Sequence, residues 1–160
     1  MIQNGEQIAE ALRAGSPDPL IITPEPDIEE LRTSGSASID LRLGTWFVTL
    51  RETRMSLLDV PDHPEECRIE PQLTRTYYVP FGKGFVLHPR SFVLGITLEW
   101  IRLPQTRAGY VIGRSSWGRR GLIIATATGV HPGFTGCLTL ELRGCVRRPF
   151  TRVRADEASS

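Results

Sequence analysis

The sequence predicts a mainly β protein with a short helix near the N-terminus. Apolar, strand-like segments recur at short intervals between residues 76 and 142, and Gly or Pro separates nearly all of them. In chain order these segments are TYYVPF, GFVLHP, SFVLGITLEWI, AGYVIG, GLIIATA and CLTLEL. Many short strands with Gly or Pro turns and little helix are typical of a β-sandwich or barrel.

Length and composition predict one ordinary globular domain. The chain has 160 residues, of which 40% are apolar and 23% are charged, as in most globular proteins. A net charge of +1 provides no overall field for a polyanion, so no nucleic-acid partner is predicted. No run approaches the roughly 18 apolar residues of a membrane span, and the first 15 residues lack the apolar run expected of a signal peptide. The chain has an odd number of cysteines, and they are widely spaced: Cys67, Cys137 and Cys145. This pattern favours reduced thiols and a cytoplasmic location.

The first 50 residues contain the predicted helix and the first strand. Residues 5–14 place apolar side chains on one helical face, and Gly15 offers a stop. Prolines at four positions between residues 17 and 26 forbid a long helix there. The segment SIDLRLGTWFVTL, residues 38–50, alternates at first and then becomes apolar. It predicts a strand pair or one long bent strand, with Gly44 at the break. Residues 52–75 are polar and predict a lid or an edge hairpin.

The stretch GRSSWGRRG, residues 113–121, concentrates hydrogen-bond donors between two predicted strands. It holds three arginines, two serines and three glycines. Serine hydroxyls, loop amides and arginine forks are suited to phosphate oxygens, and glycines let the backbone approach a ligand closely. A turn with a solvated Arg pair is the alternative interpretation, and the spacing leaves both open.

The segment TGVHPGFTGCLTLEL, residues 128–142, has the turn residues Pro-Gly and Thr-Gly before a predicted strand. It carries one acidic residue, Glu141. Strand alternation places Cys137, Thr139 and Glu141 on one face and the leucines on the other. Glu141 is therefore either an ordinary glutamate on a polar face or a general base beside Arg119, which would keep it ionised.

A zinc site is not predicted. His63-Pro64-Glu65 matches the H-x-E half of a zinc nucleoside-deaminase signature, but the P-C-x-x-C half is absent. Cys137 and Cys145 are eight residues apart, and no other pair has the spacing of zinc ligands.

The last 16 residues differ in composition from the rest. Residues 145–160 are rich in arginine and lack clean alternation, so we expect a β domain over residues 1–144 and a basic, poorly ordered tail.

Four segments together resemble the dCTP deaminase family, relatives of the trimeric dUTPases. They are SASIDLRLG (36–44), LHPRSFVLG (87–95), GRSSWGRRGL (113–122) and TATGVHPGFTGCLTLEL (126–142), in the family's order. The resemblance runs from the N-terminal helix to about Arg143. It implies a distorted β-barrel of the dUTPase type, assembled as a homotrimer with active sites shared between subunits.

The resemblance also implies an activity. The family hydrolyses dCTP to dUTP and ammonia in pyrimidine deoxynucleotide metabolism, without zinc and with Mg²⁺ accompanying the triphosphate. By position, Arg114, Ser115 and Ser116 would hold phosphates, with Ser115 also near the catalytic water. Arg119 would orient that water, and Glu141 would act as general base and proton shuttle.

Recognition of the base and the sugar is implied at three further positions. The backbone around Thr126 and Ala127 would read the cytosine edge. His131 stands where the family usually has an Asp that binds the sugar 3′-hydroxyl, and His131 would make this contact instead.

Three alternatives remain beside the dUTP-forming deaminase. One is a bifunctional enzyme that releases dUMP and pyrophosphate. Another is a non-catalytic, nucleotide-binding member that takes dCTP, dUTP or dTTP, because the sequence after Glu141 departs from the family and indicates a truncated C-terminus. The third is a purely structural trimeric β module that binds no nucleotide.

Overall fold

The computed structural model describes residues 2–50, 73–124 and 127–145, together with the backbone of residues 150–154. It has three helices in these ranges: α1 (Gly5–Arg13), α2 (Ile28–Thr33) and α3 (Ser115–Arg119). The strands are β1 (Ile21–Thr23), β2 (Leu43–Leu50), β3 (Thr74–Tyr78), β4 (Gly84–Leu87), β5 (Phe92–Arg102), β6 (Gly109–Tyr110), β7 (Leu122–Ile124), β8 (Gly129–Val130), β9 (Thr135–Gly144) and β10 (Phe150–Arg154). The mainly β prediction is confirmed, and all six predicted strand segments contain a strand.

One antiparallel sheet organises the molecule. Its strand order is β3-β2-β5-β9-β7, and β1 pairs with the far end of β5. The 11-residue β5 is the central strand, and alternate residues from Val93 to Ile101 are buried. Two small sheets, β4 with β10 and β6 with β8, complete the strand pairing. None of the helices in the described ranges is both long enough and apolar enough to cross a lipid bilayer.

The main core lies on the inner face of this sheet. Phe47, Leu87, Val93 and Leu142 are at most 2% exposed. The Phe47 ring stacks on the Phe85 ring with centroids 4.8 Å apart, which links the central sheet to the β4–β10 sheet. Burying apolar side chains of this size on one sheet face is the dominant favourable term for the fold.

The N-terminal helices form a second, smaller core beside the sheet. Asn4 and Gln7 make a reciprocal capping box that begins α1, and the Asp27 side chain accepts from two backbone amides at the start of α2. Ala9, Ile28 and Leu31 are buried between the two helices. The predicted helix over residues 5–14 is thus confirmed, with an end at Arg13.

The prediction for residues 38–50 was only partly right. β2 begins at Leu43, and residues 38–42 are not strand. Gly44 is no break, because it lies inside β2, where an added Cβ would meet the carbonyl oxygens of Ile96 and Thr97 at 3.1 Å. Close approach of β2 to β5 makes any side chain at Gly44 a tight fit, and the β2–β5 register shifts between Leu43 and Phe47.

The C-terminal part contains backbone pairing. β10 runs antiparallel to β4, with Phe150 opposite Leu87 and Arg154 opposite Gly84. The division into a domain over residues 1–144 and a tail over residues 145–160 stays a prediction, as does the character of the polar segment 52–75, most of which lies outside the described residues.

Candidate functional site

The GRSSWGRRG stretch folds as a short helix against the edge of the sheet. α3 occupies Ser115–Arg119, with Arg114 at its N-cap, so the predicted turn or loop is replaced by one helical turn. The backbone of Gly113 lies against Ile124 of β7, since an added Cβ would be 3.6 Å from that side chain. Trp117 is half-buried against the main core. Packing through Trp117 and Gly113 fixes this segment beside β7.

Ser115, Ser116 and Arg119 are exposed on α3. The Arg114 carbonyl closes the turn by accepting from the amides of Trp117 and Gly118 at 3.1 and 3.2 Å. The serine hydroxyls and the Arg119 guanidinium are therefore on the solvent side of a helix whose other side is packed. This arrangement presents donors of the kind that bind phosphate oxygens.

Arg114 is held by a carboxylate from a distant part of the chain. Its Nε donates to Asp40 Oδ1 at 3.0 Å, and its Nη2 donates to Asp40 Oδ2. This two-pronged geometry is the strong form of an Arg–carboxylate pair. The hydrogen bond to Asp40 raises the pKa of the Arg114 guanidinium; partial burial lowers that pKa, and the negative charges of Asp40 and Glu30 raise it. Arg114 consequently stays charged at neutral pH.

Arg114 and Asp40 lie at the wall of a cleft between the α2 region and the central sheet. The cleft has a volume of about 580 Å³. Its lining includes five carboxylates against two arginines, Arg42 and Arg114; the acidic residues are Glu25, Asp27, Glu30, Asp40 and Glu99. A phosphate group inside this cleft would be repelled, so an anion can reach Arg114 favourably only from the side away from the carboxylates.

Glu141 is half-buried on β9. Leu138, Leu140 and Leu142 are buried on the inner face of the strand, as strand alternation predicts. Glu141 is on the outer face, where it lies opposite Leu94 of β5. On the other side of β9, the pairing with β7 ends at Leu142 and Ile124, one residue from Glu141. β7 therefore connects α3 on one side to the strand that carries Glu141 on the other.

Two of the three residues predicted to read the base and the sugar, Ala127 and His131, flank β8. Ala127 is exposed just before β8, and Thr126 lies outside the described residues. His131 is exposed directly after β8. Its carbonyl accepts from the Phe134 amide at 3.2 Å, and Gly133 has φ +75°. With Pro132 and Gly133 in the middle this is a type II turn, as the Pro-Gly sequence predicts, and it places His131 at the corner.

Sequence reasoning missed two residues at this site, Asp40 and Glu99. Glu99 is 3% exposed, and its Oε2 accepts from the Arg42 backbone amide while its Oε1 accepts from Arg42 Nε, both at 2.8 Å. For Asp40 the available signal was the alternation of charged and apolar residues in SIDLRLG, and for Glu99 it was a single acidic residue within the apolar segment SFVLGITLEWI. Charged residues next to a core need partners.

Cys137 and Cys145 are free, exposed thiols. Within the described ranges, no group of three or more His, Cys, Asp and Glu side chains is arranged to hold a metal ion. His63, Glu65 and Cys67 lie outside those ranges.

Comparison with known proteins defines the class to which this fold and site belong. The model of the family described as "dCTP deaminase-like" matches residues 2–156. The chain therefore belongs to the dCTP deaminase-like family, and the resemblance inferred from the four segments is confirmed.

Curated relatives carry a more particular name. A protein of Mycobacterium avium (strain 104) is 42% identical over 118 residues, and one of Mycobacterium leprae (strain Br4923) is 40% identical over 116 residues. Each match covers 72% of this chain and 58% of the relative, and both relatives are called "dCTP deaminase, dUMP-forming". The chain thus spans a little over half the length of these relatives.

A solved structure supports the fold. The crystal structure of 2′-deoxycytidine 5′-triphosphate deaminase from Agrobacterium tumefaciens matches with a TM-score of 0.50 and 22% identity. The match covers 83% of this chain and 40% of that one. At this identity the likeness concerns the fold alone.

Proposed function

We propose that this chain acts in the hydrolysis of dCTP to dUMP, ammonia and pyrophosphate. The observation that carries the proposal is the family match over residues 2–156, joined to relatives about two-fifths identical that are named dUMP-forming. The sequence analysis placed dUTP first as product and dUMP as the alternative. The names of the relatives favour the alternative.

Glu141 is the proposed acid–base group for the deamination. It takes a proton from a water molecule whose oxygen bonds to C4 of the cytosine, and it passes that proton to N3. A proton from the new C4 hydroxyl then moves through Glu141 to the amino group, which leaves as ammonia while the C4 carbonyl forms. One carboxylate can serve each transfer if it is fixed and shielded from bulk water. Its half-buried place on a regular strand supports this role.

The α3 segment is the proposed phosphate site. Arg114, Ser115, Ser116 and Arg119 supply donors to the triphosphate, and Ser115 and Arg119 also orient the attacking water. Binding energy from the phosphates then positions the base against the water and Glu141. Cleavage of the α–β phosphoanhydride by a second water gives dUMP and pyrophosphate.

Mg²⁺ is the proposed companion of the triphosphate. Residues 113–121 offer hydroxyl and guanidinium groups and no carboxylate, so this segment fits phosphate oxygens and not the metal itself. Phosphate oxygens are the ligands with which Mg²⁺ is commonly bound in such sites. The ion would neutralise charge on the triphosphate.

Contacts to the nucleoside are proposed around β8. The backbone at Thr126 and Ala127 reads the cytosine edge, and His131 at the corner of its turn bonds the 3′-hydroxyl. An imidazole can donate or accept in this contact, so it replaces the Asp that is usual in the family.

A homotrimer is the proposed assembly. The outer face of the central sheet carries an apolar band over its three neighbouring strands β3, β2 and β5: Tyr78, Trp46, Leu50, Leu94, Ile96 and Trp100. Glu141 lies on the same face. A further copy of the chain on this face would bury the apolar band and shield Glu141 from bulk water.

The proposal is tested by product analysis with the purified chain, dCTP and Mg²⁺. We expect ammonia, dUMP and pyrophosphate in equal amounts. The matched control is Glu141→Gln, which keeps the shape but removes the base; its turnover should fall by about 10²- to 10⁴-fold, while dCTP still raises its melting temperature.

Each other outcome rejects a defined part of the proposal. Release of dUTP with ammonia would establish the monofunctional reaction. A thermal shift with dCTP but no product would leave a nucleotide-binding protein without catalysis. Undiminished turnover by Glu141→Gln would remove Glu141 from the mechanism, and no thermal shift with dCTP, dUTP or dTTP would overturn nucleotide binding altogether.

A further inference from the structure

The Arg114 guanidinium is engaged on one edge. An arginine has five N–H donors in a planar fork. Nε and Nη2 donate to the two oxygens of Asp40, which orients the plane of the guanidinium and leaves the Nη1 edge for another acceptor. A fork that is already oriented loses less entropy when it binds a second anion.

Asp40 can orient Arg114 because its own segment is tied down on both sides. The Ser36 carbonyl accepts from the Gly5 amide of α1 at 2.7 Å. Two residues after Asp40, the Arg42 amide donates to Glu99 and the Arg42 carbonyl accepts from the Leu98 amide at 2.8 Å. Hydrogen bonds to α1 and to the central strand therefore hold the carboxylate in place.

The pair is open to solvent on one side. The side chains of Arg114 and Asp40 are 37% and 45% exposed, so solvent screens the attraction between them even though the two-pronged geometry makes the pair stronger than most surface ion pairs. The neighbouring cleft is lined by further carboxylates, which direct an incoming phosphate to the free edge of the guanidinium. Geometry and charge together point to a role in ligand binding.

We propose that Asp40 is a positioning residue for the nucleotide phosphates: it holds one edge of Arg114 so that the opposite edge meets the triphosphate. This inference rests on the proposed function, since it assumes that α3 receives phosphates. It assigns a role to the SIDLRLG segment, which lies 74 residues away from Arg114 along the chain.

The test compares Asp40→Asn with Asp18→Asn. Asp18 also pairs with an arginine, Arg102, with side chains 35% and 39% exposed, but it lies outside the candidate site. For Asp40→Asn we expect the Kd of dCTP to rise about tenfold, since hydrogen bonds between charged groups are stronger than neutral ones. The Kd is measured by calorimetry with Mg²⁺, with every variant made in the Glu141→Gln background so that dCTP is not turned over. Binding of deoxycytidine, which lacks phosphates, should be unchanged, and Asp18→Asn should bind dCTP as the wild type does.

A double-mutant cycle provides the second readout. In an Arg114→Ala background, Asp40→Asn should cause no further loss of dCTP affinity, because its effect acts through Arg114. Additive losses would overturn the inference, and so would an unchanged dCTP affinity in Asp40→Asn or an equal loss for dCTP and deoxycytidine. If the wild type itself fails to bind dCTP, the proposed function is wrong. That result is distinguishable from a wrong role for Asp40, which would show only in the Asp40→Asn variant.

Discussion

Glu99 is the residue whose charge is most deeply enclosed among the described residues, and Arg42 satisfies both of its oxygens. A buried carboxylate without a partner is strongly unfavourable, whereas a paired one is tolerated. The pair connects β5 to the segment that carries Asp40. Its main consequence is therefore a fixed geometry next to the candidate site.

Removal of this carboxylate should destabilise the fold. For Glu99→Ala we expect the free energy of unfolding to fall by roughly 3 kcal/mol, because the Arg42 amide and guanidinium lose their acceptor. Urea denaturation measures this difference. The control is Glu29→Ala, which breaks the exposed Glu29–Arg32 pair and should change the stability by no more than about 0.5 kcal/mol. Equal losses in the two variants would show that the burial of Glu99 adds nothing to its effect on the free energy of unfolding.

At the scale of single residues, the sequence predicted the hydrogen-bond donors of the candidate site better than the carboxylates that pair with them. Arg114, Ser115, Ser116 and Arg119 attract attention because they are dense in one short stretch. Asp40 does not, since its partner is 74 residues away and local spacing carries no information about such a contact. The roles given to these residues, and to Glu141 and His131, stay predictions.

Among the elements, residues 36–42 show why alternation was misleading. Ile39 and Leu41 do pack against the core, as the alternation suggests. The backbone, however, bonds to the Glu99 side chain and to α1 instead of a strand ladder. Side-chain period reports which face is buried, and it does not report where the backbone hydrogen bonds go.

The contact between α1 and α2 depends on Gly5. An added Cβ there would lie 2.0 Å from the Leu31 carbonyl oxygen, which is backbone and cannot move without shifting α2. We expect Gly5→Ala to reduce the free energy of unfolding by at least about 2 kcal/mol, since overpacking forces backbone shifts. Thermal unfolding followed by circular dichroism measures the loss.

Gly15→Ala is the matched control. An added Cβ at Gly15 meets nothing within 4 Å, so the variant should be neutral or stabilised by up to about 1 kcal/mol through the unfolded state. An unchanged melting temperature in Gly5→Ala would mean that the two helices separate without cost.

For the whole molecule, the outer face of the sheet is the dominant feature. Trp46 and Tyr78 are 49% and 58% exposed, and the centroids of their rings are 5.2 Å apart. Exposed apolar side chains grouped on neighbouring strands, as on β3, β2 and β5, are typical of an interface between protein chains.

Charge on this face should separate the proposed trimer. We expect Trp46→Glu to give monomers in sedimentation velocity at a concentration at which the wild type is trimeric, because a carboxylate would be buried without a partner. Val86→Glu is the control: Val86 is 44% exposed and lies on β4, in a different sheet. If Trp46→Glu is still trimeric, the subunits contact each other through another surface. If the wild type is monomeric, the proposed homotrimer is wrong.

The sequence by itself determined the mainly β class, the positions of most strands, the N-terminal helix and the family. Those features follow from local periodicity, from turn residues and from motifs that are contiguous in the chain. Only the tertiary structure decided that Asp40 holds Arg114, that Glu99 holds Arg42, and that Glu141 lies opposite Leu94 on the outer face of the sheet. Each of these depends on which strands become neighbours, and that is set by packing of the whole sheet because hydrogen-bond partners far apart in sequence leave no local signal.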